Sequence, residues 1–271
     1  KIIFNTIGQL ERFALPSAAH KRGLRVNPGV SSSGFDLADP ARPFSRLGEH
    51  DPGRIASVAE RISGFMFHNN CENANFDRFD QMLCHIEQRF GFLIRQMEWI
   101  SLGGGIHFTG QDYPLDKLAA RLRRFAEENE VQVYLEPGEA AITDAATLEV
   151  TVLDTLYNGK HLAIIDSSTE AHMLDLLTYR QSAKILPDEG PHEWMICGKS
   201  CLAGDIFGEF RFPQALQAGD RLSIQDAAGY TMVKKNWFNG VKMPSIALRE
   251  LDGTIRLVRD FGYDDFATAL S

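Results

Sequence analysis

Long apolar runs and cysteines are scarce in this sequence of 271 residues. No apolar run reaches the roughly 18 residues that a membrane-spanning helix needs, so we expect no membrane partner. Four cysteines are too few for a dense disulfide framework and suit a reducing compartment, which predicts a cytoplasmic protein. A positive charge excess is also missing, because 28 basic residues face 36 acidic ones for a net charge of −8. That balance argues against a nucleic-acid partner and is compatible with cationic ligands.

The first half of the chain alternates short apolar runs with segments of helical periodicity. Apolar residues three and four positions apart, as in Phe79, Met82, Leu83 and Ile86, predict helices with one buried face. Alternation of this kind is typical of βα units whose strands are parallel. The runs that predict strands cover residues 1–5, 24–28, 63–69, 99–105 and 131–138, and the helical segments cover residues 6–14, 76–91 and 115–129.

Five βα units fit two architectures, and the residue pattern leaves both open. An open doubly wound sheet accommodates five strands directly. A closed barrel has eight strands at roughly 30 residues per unit, so it would need about 90 more residues before Lys1. The chain starts at Lys1 with an apolar run and without an initiator methionine. From this we expect a natural start further upstream.

The second half of the chain has a different pattern of apolar residues. After Ala141, β-type runs separated by turn signals replace the helical segments, which predicts an antiparallel β domain. The predicted boundary lies near residue 143, so the expected domains are residues 1–143 and 144–271. The runs cover residues 147–159, 161–168, 193–201, 207–213, 220–231 and 243–253.

Unusual residues follow the last three predicted strands of the first half. The stretches are HNNCEN (68–73), GGG (103–105) and EPGE (136–139). Active sites of βα barrels lie at the carboxyl ends of the strands, so we expect a functional site there. Three consecutive glycines let backbone N–H groups approach an anion such as phosphate, although a plain turn uses the same residues.

Two nucleotide-binding motifs and a metal site are not predicted. Phe108 stands where G-x-G-x-x-G requires its third glycine, and Glu193 stands where a P-loop requires its first. The possible metal-binding pairs lack a second ligand pair at the spacing of structural zinc sites. These pairs are His68 with Cys71 and Cys197 with Cys201.

Together, these motifs resemble those of the fold type III pyridoxal phosphate decarboxylases, which have an alanine racemase-like barrel and include ornithine and diaminopimelate decarboxylases. Within that family the chain is most similar to the carboxynorspermidine and carboxyspermidine decarboxylases. The resemblance implies a partial (β/α)8 barrel of about five units followed by a β domain. The similarity covers the whole chain, and the matching stretches are LRVNPGVSSSGFDLADPARPFSRLG, FMFHNNCEN, WISLGGGIHFTG, YLEPGEA, MICGKSCLAGD and QDAAGYTMVKKNWFNG.

The resemblance implies pyridoxal 5'-phosphate as the cofactor and assigns residues to it. His68 would lie against one face of the pyridoxal ring, although a histidine bonded within the core is the alternative. Glu136 would pair with the pyridinium nitrogen and keep it protonated, which keeps the ring a strong electron sink. The residues expected at the phosphate are Gly103, Gly104, Gly105, Gly138 and Tyr230.

The implied substrate is a carboxylated triamine, and the product is norspermidine or spermidine. Related decarboxylases carry an arginine that reaches the phosphate at the position of Glu139, and an acid cannot play that role. We therefore expect Glu139 to face a cationic part of the substrate, with Asp175 as a second carboxylate for an amine. A solvated loop acid and a helix-face acid are the respective alternatives.

The family also implies a homodimer. Cys201 matches a cysteine that is brought across the dimer interface to donate a proton, and such a thiol can do this acid work. With His68 it makes up the predicted catalytic pair. Diaminopimelate decarboxylases carry a substrate-binding acid directly after this cysteine, where this chain has Leu202, so Leu202 disfavours a diaminopimelate decarboxylase. Asp205, four residues after the cysteine, is a weaker candidate for substrate contact.

A lysine that forms a Schiff base with the cofactor is required by this chemistry. In the family it ends an early barrel strand, so we expect it upstream of Lys1. Lys199 lies within one of the matching stretches, but it is in the second domain and so is not at the position of the Schiff-base lysine. Two alternatives stay open: a non-catalytic relative that binds polyamine or pairs with an active subunit, and a diaminopimelate or ornithine decarboxylase.

Overall fold

A computed structural model describes residues 1–13, 20–34 and 36–271. Packing divides the chain into two units, Lys1–Ala141 and Ile142–Ser271, each with its own hydrophobic core. The sequence predicts a boundary near residue 143. No helix among the described residues is both long enough and apolar enough to cross a membrane.

The first unit contains a parallel sheet of five strands with helices, as predicted. The strands are hydrogen-bonded in the order in which they occur along the chain. They are β1 (Ile2–Phe4), β2 (Arg22–Arg25), β3 (Gly64–Met66), β4 (Trp99–Ser101) and β5 (Gln132–Tyr134). The α-helices are α1 (Ile7–Phe13), α2 (Pro52–Ala56), α3 (Phe76–Ile94) and α4 (Leu115–Asn129), and short 3₁₀ helices cover Asp36–Ala38, Ala59–Arg61 and Glu139–Ala141. The predicted first helix reaches Ala14, which lies outside the described residues.

Helix α3 begins and packs as its sequence predicts. The side chain of Asn75 accepts a hydrogen bond from the backbone N–H of Arg78 (2.9 Å) and so caps the first turn. The apolar stripe of α3 is buried in the core of the first unit. On α4, Arg121 is buried and forms ion pairs with Asp80 and Glu87 of α3, which satisfies its charge between the two helices.

The Trp99 side chain packs over two glycines on one face of the parallel sheet. Gly23, Gly64 and Trp99 are neighbours in one row across β2, β3 and β4. A Cβ atom added to Gly23 would lie 2.4 Å from the Trp99 ring, and one added to Gly64 would lie 2.2 Å from it. The indole is buried and donates a hydrogen bond to Ser63 Oγ (3.1 Å). Two glycines side by side therefore make room for one indole.

The second unit contains a mixed sheet in the order β10-β6-β7-β8-β9 and a separate antiparallel pair, β11-β12. The strands are β6 (Leu148–Tyr157), β7 (His161–Ile165), β8 (His192–Cys197), β9 (Ile206–Phe212), β10 (Arg221–Ile224), β11 (Ile246–Arg249) and β12 (Ile255–Arg259). The helices are α5 (Thr169–His172), α6 (Leu174–Tyr179), α7 (Tyr230–Lys234) and α8 (Tyr263–Ala269), with a 3₁₀ helix over Phe238–Gly240.

The prediction of an antiparallel domain is wrong for one strand pair. Strands β7 and β8 are parallel, whereas the other neighbours in this sheet are antiparallel. The connection from β7 to β8 carries α5 and α6, and a crossover of this length lets β8 return in the direction of β7. Strand β12 and helix α8 were not predicted from the sequence.

We predict that Gly64→Ala destabilises the protein by about 1–3 kcal/mol, because the added methyl group overlaps the Trp99 ring in a packed core. Urea unfolding measures the change. Gly34→Ala is the matched control in the same unit, since a Cβ atom there meets nothing within 4 Å. Equal stability of the two variants would contradict this packing.

Candidate active site

The loops that follow β3, β4 and β5 meet at one edge of the parallel sheet. A Cβ atom at Gly103 would lie 2.4 Å from His68 Nδ1, one at Gly104 would lie 2.3 Å from the Glu136 carbonyl oxygen, and one at Gly105 would lie 2.3 Å from the Asn70 carbonyl oxygen. Gly103 and Gly105 also have positive φ angles of 68° and 79°. Only glycine fits at these three positions. Because glycine has no side chain, the neighbouring loops can approach the backbone of this segment closely.

His68 lies two residues after the end of β3 and is held by the glycine segment. Its Nδ1 accepts a hydrogen bond from the backbone N–H of Gly104 (3.1 Å), so in the neutral ring Nε2 carries the proton. Burial lowers the pKa of His68, and the nearby Arg25 lowers it further, which outweighs the opposing effect of Glu136. The imidazole is therefore neutral at pH 7.

Glu136 lies opposite His68 across the glycine segment. Its backbone N–H donates to the Gly103 carbonyl oxygen (2.8 Å), and its carboxylate accepts a hydrogen bond from Ser101 Oγ. Ser101 Oγ also accepts from the Gly103 N–H (3.2 Å). Burial lowers the pKa of Arg25, whereas the charge of Glu136 raises it. The carboxylate is thus fixed by β4 and lies within electrostatic reach of a cation on β2.

A layer of buried amides supports the loop that carries His68. Asn69, Asn70 and Asn73 are buried. Asn73 Nδ2 donates to Asn70 Oδ1 (2.8 Å), and the Asn73 backbone N–H donates to the Gly105 carbonyl oxygen (2.9 Å). These bonds join the HNNCEN stretch to the glycine segment, which restricts both.

Glu139 lies close to two other possible cation ligands. One ligand atom from each of Glu72, His107 and Glu139 lies within 4.8 Å of the others. The three residues come from the loops after β3, β4 and β5. Such a set can hold a cation, either a metal ion or an ammonium group. Of the three, only Glu139 was predicted to bind a cation. Glu72 lies in the HNNCEN stretch and His107 lies two residues after the glycine segment, but neither was assigned a role from the sequence.

In the second unit, Cys201 lies in the turn between β8 and β9. Its thiol is exposed, and Asn239 Nδ2 donates a hydrogen bond to its sulfur. Asp205 is buried at the end of the same turn and accepts bonds from the Thr169 N–H (2.7 Å), Thr169 Oγ1 (2.8 Å) and the Ser200 N–H (3.1 Å). Burial raises the pKa of Asp205, but these bonds outweigh it and lower the pKa below its usual value.

The contacts of Asp205 favour a positioning role for it. Its carboxylate ties the start of α5 to the turn that carries Cys201. Gly198 permits this close packing, because a Cβ atom there would lie 2.3 Å from the Asp205 carboxylate oxygens. That Asp205 contacts substrate stays a prediction.

Asp175 and Tyr230 lie on two helices of the second unit. Asp175 is in the first turn of α6, and its carboxylate oxygen lies 2.6 Å from Lys234 Nζ of α7. Tyr230 begins α7 and is exposed. This ion pair was not predicted from the sequence, because 59 residues separate its partners.

Comparison with known proteins assigns the chain to a family. The family model described as "Pyridoxal-dependent decarboxylase, C-terminal sheet domain" matches residues 30–228. A carboxynorspermidine/carboxyspermidine decarboxylase of Herminiimonas arsenicoxydans is 60% identical over 271 residues, which are 100% of this chain and 74% of that protein. The chain belongs to the pyridoxal-dependent decarboxylase family.

Two further relatives support membership in the decarboxylase family. A carboxyaminopropylagmatine decarboxylase of Synechocystis is 37% identical over 99% of this chain and 71% of that protein. The crystal structure of carboxynorspermidine decarboxylase from Campylobacter jejuni, complexed with norspermidine, matches with a TM-score of 0.88 and 32% identity. That match covers 98% of this chain and 74% of the crystallised one.

The residues of the first unit fit the cofactor of the decarboxylase family. A Cβ atom at Gly138 would meet nothing within 4 Å, although its N–H lies beside the tightly packed Gly104. The glycine loops thus leave open space of the kind that a phosphate group can enter. A neutral imidazole and a fixed carboxylate flank those loops at His68 and Glu136, and both suit a protonated pyridine ring.

We predict that His68 titrates with a midpoint below pH 6.5, because burial and Arg25 disfavour the charged ring. The imidazole signals in NMR spectra recorded from pH 4 to 8 measure it, and His68→Gln identifies them. The folded-state pKa is below the unfolded value, so the free energy of unfolding should decrease as pH falls below about 6.5. A midpoint at or above 6.5 would contradict the arrangement.

Proposed function

We propose that this protein decarboxylates carboxynorspermidine or carboxyspermidine to norspermidine or spermidine, with pyridoxal 5'-phosphate as its cofactor. The observation that carries the proposal is the 60% identity, over the entire chain, to a decarboxylase of these substrates. The grouping of His68, Gly104 and Glu136 in one cluster supports it. The reaction belongs to polyamine biosynthesis, and we place it in the cytoplasm, where the four free thiols would be kept reduced.

We infer that the parallel sheet is part of a (β/α)8 barrel that binds the cofactor and ends near residue 143, before the β domain. An open doubly wound sheet reverses its strand order at a switch point. The five strands here follow one another without a reversal, which favours the barrel. The lysine that would hold the cofactor covalently is expected in a preceding strand.

The phosphate of the cofactor is assigned to the glycine loops, with Tyr230 as a further contact. The N–H groups of Gly103 and Gly104 donate to Ser101 and His68, so these glycines shape the loop. Gly105 and Gly138 are then the main candidates for direct phosphate contact. The exposed position of Tyr230 at the start of α7 leaves it available for a ligand.

Glu136 and His68 would set the chemistry of the pyridine ring. When bound, pyridoxal phosphate would accept the electron pair that remains when CO₂ leaves. The carboxylate of Glu136 would hold a proton at the ring nitrogen, and Ser101 keeps that carboxylate in place. The neutral ring of His68 would pack against the cofactor without adding a competing charge.

Cys201 would supply a proton to the substrate, and the carboxylates would bind the ammonium groups of the substrate. In the proposed homodimer, Cys201 donates a proton to the substrate carbon after CO₂ has left, and Asp205 positions the turn that carries it. Glu139, with Glu72 and His107 beside it, would bind an ammonium group of the substrate. Asp175 would bind a second ammonium group, and a direct contact of Asp205 with substrate belongs to the same proposal.

We predict that the complete protein, supplied with pyridoxal phosphate, releases CO₂ from carboxynorspermidine. Glu136→Gln should lower kcat by about 10²-fold or more, because a neutral amide cannot hold the proton at the ring nitrogen. Glu60→Gln is the matched control, since Glu60 is an exposed acid in the short 3₁₀ helix before β3. CO₂ release in a radiometric assay measures both variants.

Substrate tests separate the proposed decarboxylase from its alternatives. Faster CO₂ release from ornithine or diaminopimelate than from carboxynorspermidine would contradict the assigned substrate. Binding of norspermidine without CO₂ release from any of these compounds would identify a non-catalytic relative. Carboxyaminopropylagmatine, the substrate in the name of the Synechocystis relative, completes the comparison.

A further inference from the structure

Two short helices of the second unit present an acid, a lysine and two aromatic rings to one another. Asp175 and Tyr179 are four residues apart on α6, and Tyr230 and Lys234 are four residues apart on α7. Residues at this spacing lie on the same face of a helix. Helices α6 and α7 are in contact, so the two pairs face each other.

The ammonium group of Lys234 lies at the centre of this arrangement. Its Nζ atom is 2.6 Å from Asp175 Oδ1, 4.7 Å from the ring centre of Tyr230 and 5.9 Å from that of Tyr179. A carboxylate and two aromatic faces around a cation are the usual elements of ammonium recognition. Burial lowers the pKa of Lys234, but Asp175 outweighs it and raises the pKa, so the group is charged at pH 7.

The lysine side chain is itself a primary alkylammonium, the same chemical group that ends a polyamine. The contacts of Lys234 therefore show that the residues around it can accommodate a primary alkylammonium group. Its side chain is 35% exposed, which leaves it a path into solvent. An ion pair with this much exposure contributes at most about fivefold to an equilibrium, so a ligand can displace it readily.

We propose that Asp175, Tyr179 and Tyr230 form a binding site for a primary alkylammonium group, which Lys234 occupies in the free protein and yields to the terminal ammonium of the polyamine. This site deepens the proposed function and rests on it for the identity of the ligand. Lys234 thereby acts as a built-in competitor. It keeps the carboxylate of Asp175 paired when no polyamine is bound, which avoids an unpaired charge at a half-buried position.

Calorimetric titration of the complete, cofactor-loaded protein with norspermidine at low ionic strength tests this site. Lys234→Met removes the competitor and keeps an apolar stem, so it should bind norspermidine about two- to fivefold more tightly. Asp175→Asn should bind it about two- to fivefold more weakly than Lys234→Met does, because the ligand then loses its ion pair with the carboxylate. The double variant should be as weak as Asp175→Asn.

Lys235→Met is the matched control. Lys235 is adjacent in sequence, carries the same charge and lies 4.3 Å from the ring of Phe261. Its replacement changes the net charge as Lys234→Met does, and its affinity for norspermidine should equal that of the unmodified protein. Lys234→Gln serves as a second neutral variant if Lys234→Met does not fold. Unchanged or weaker binding by both folded Lys234 variants would overturn the site.

Decarboxylase assays of the same variants distinguish the two claims. If the unmodified protein releases CO₂ from carboxynorspermidine but loss of Lys234 does not tighten norspermidine binding, the ammonium site is wrong and the proposed function stands. If no CO₂ is released but loss of Lys234 tightens binding, the site stands and the proposed function is wrong.

Discussion

The candidate site depends on how closely the backbone after β4 approaches its two neighbours. At each of the three consecutive glycines, a Cβ atom would lie within 2.4 Å of an atom of His68, Glu136 or Asn70. Backbone packing therefore sets the positions of the imidazole and of the Glu136 backbone, and Ser101 Oγ holds the Glu136 carboxylate. A site held in this way is ordered before its ligand arrives, which reduces the cost of binding.

The parallel sheet, the helices α3 and α4 and the strand-end position of the site could all be predicted from the sequence. These features follow from local periodicity and from motifs such as HNNCEN and GGG. Arg25, Ser101 and Lys234 could not be predicted, because their importance arises from residues brought close by folding. The parallel pairing of β7 with β8 was missed for the same reason, since a strand pattern does not encode its partner's direction.

Carboxylates stand at each position to which we assign an ammonium group of the proposed substrate. Glu72 and Glu139 lie together in the first unit, and Asp175 in the second unit pairs with Lys234, whose ammonium group lies over the Tyr230 ring. A chain with a net charge of −8 would also attract a polycation over a longer range. Lys234 then limits this attraction at one site, because a ligand must replace an existing ammonium group there.

The most direct test of the glycine-loop site is the affinity of the complete protein for pyridoxal phosphate after Gly138→Ala. The added methyl group meets no protein atom within 4 Å, so the free energy of unfolding should not decrease. If the open space beside Gly104 receives the phosphate, the cofactor should bind about tenfold or more weakly, because its contacts to the loop are lost. Unchanged cofactor affinity in a folded Gly138→Ala variant would contradict this assignment.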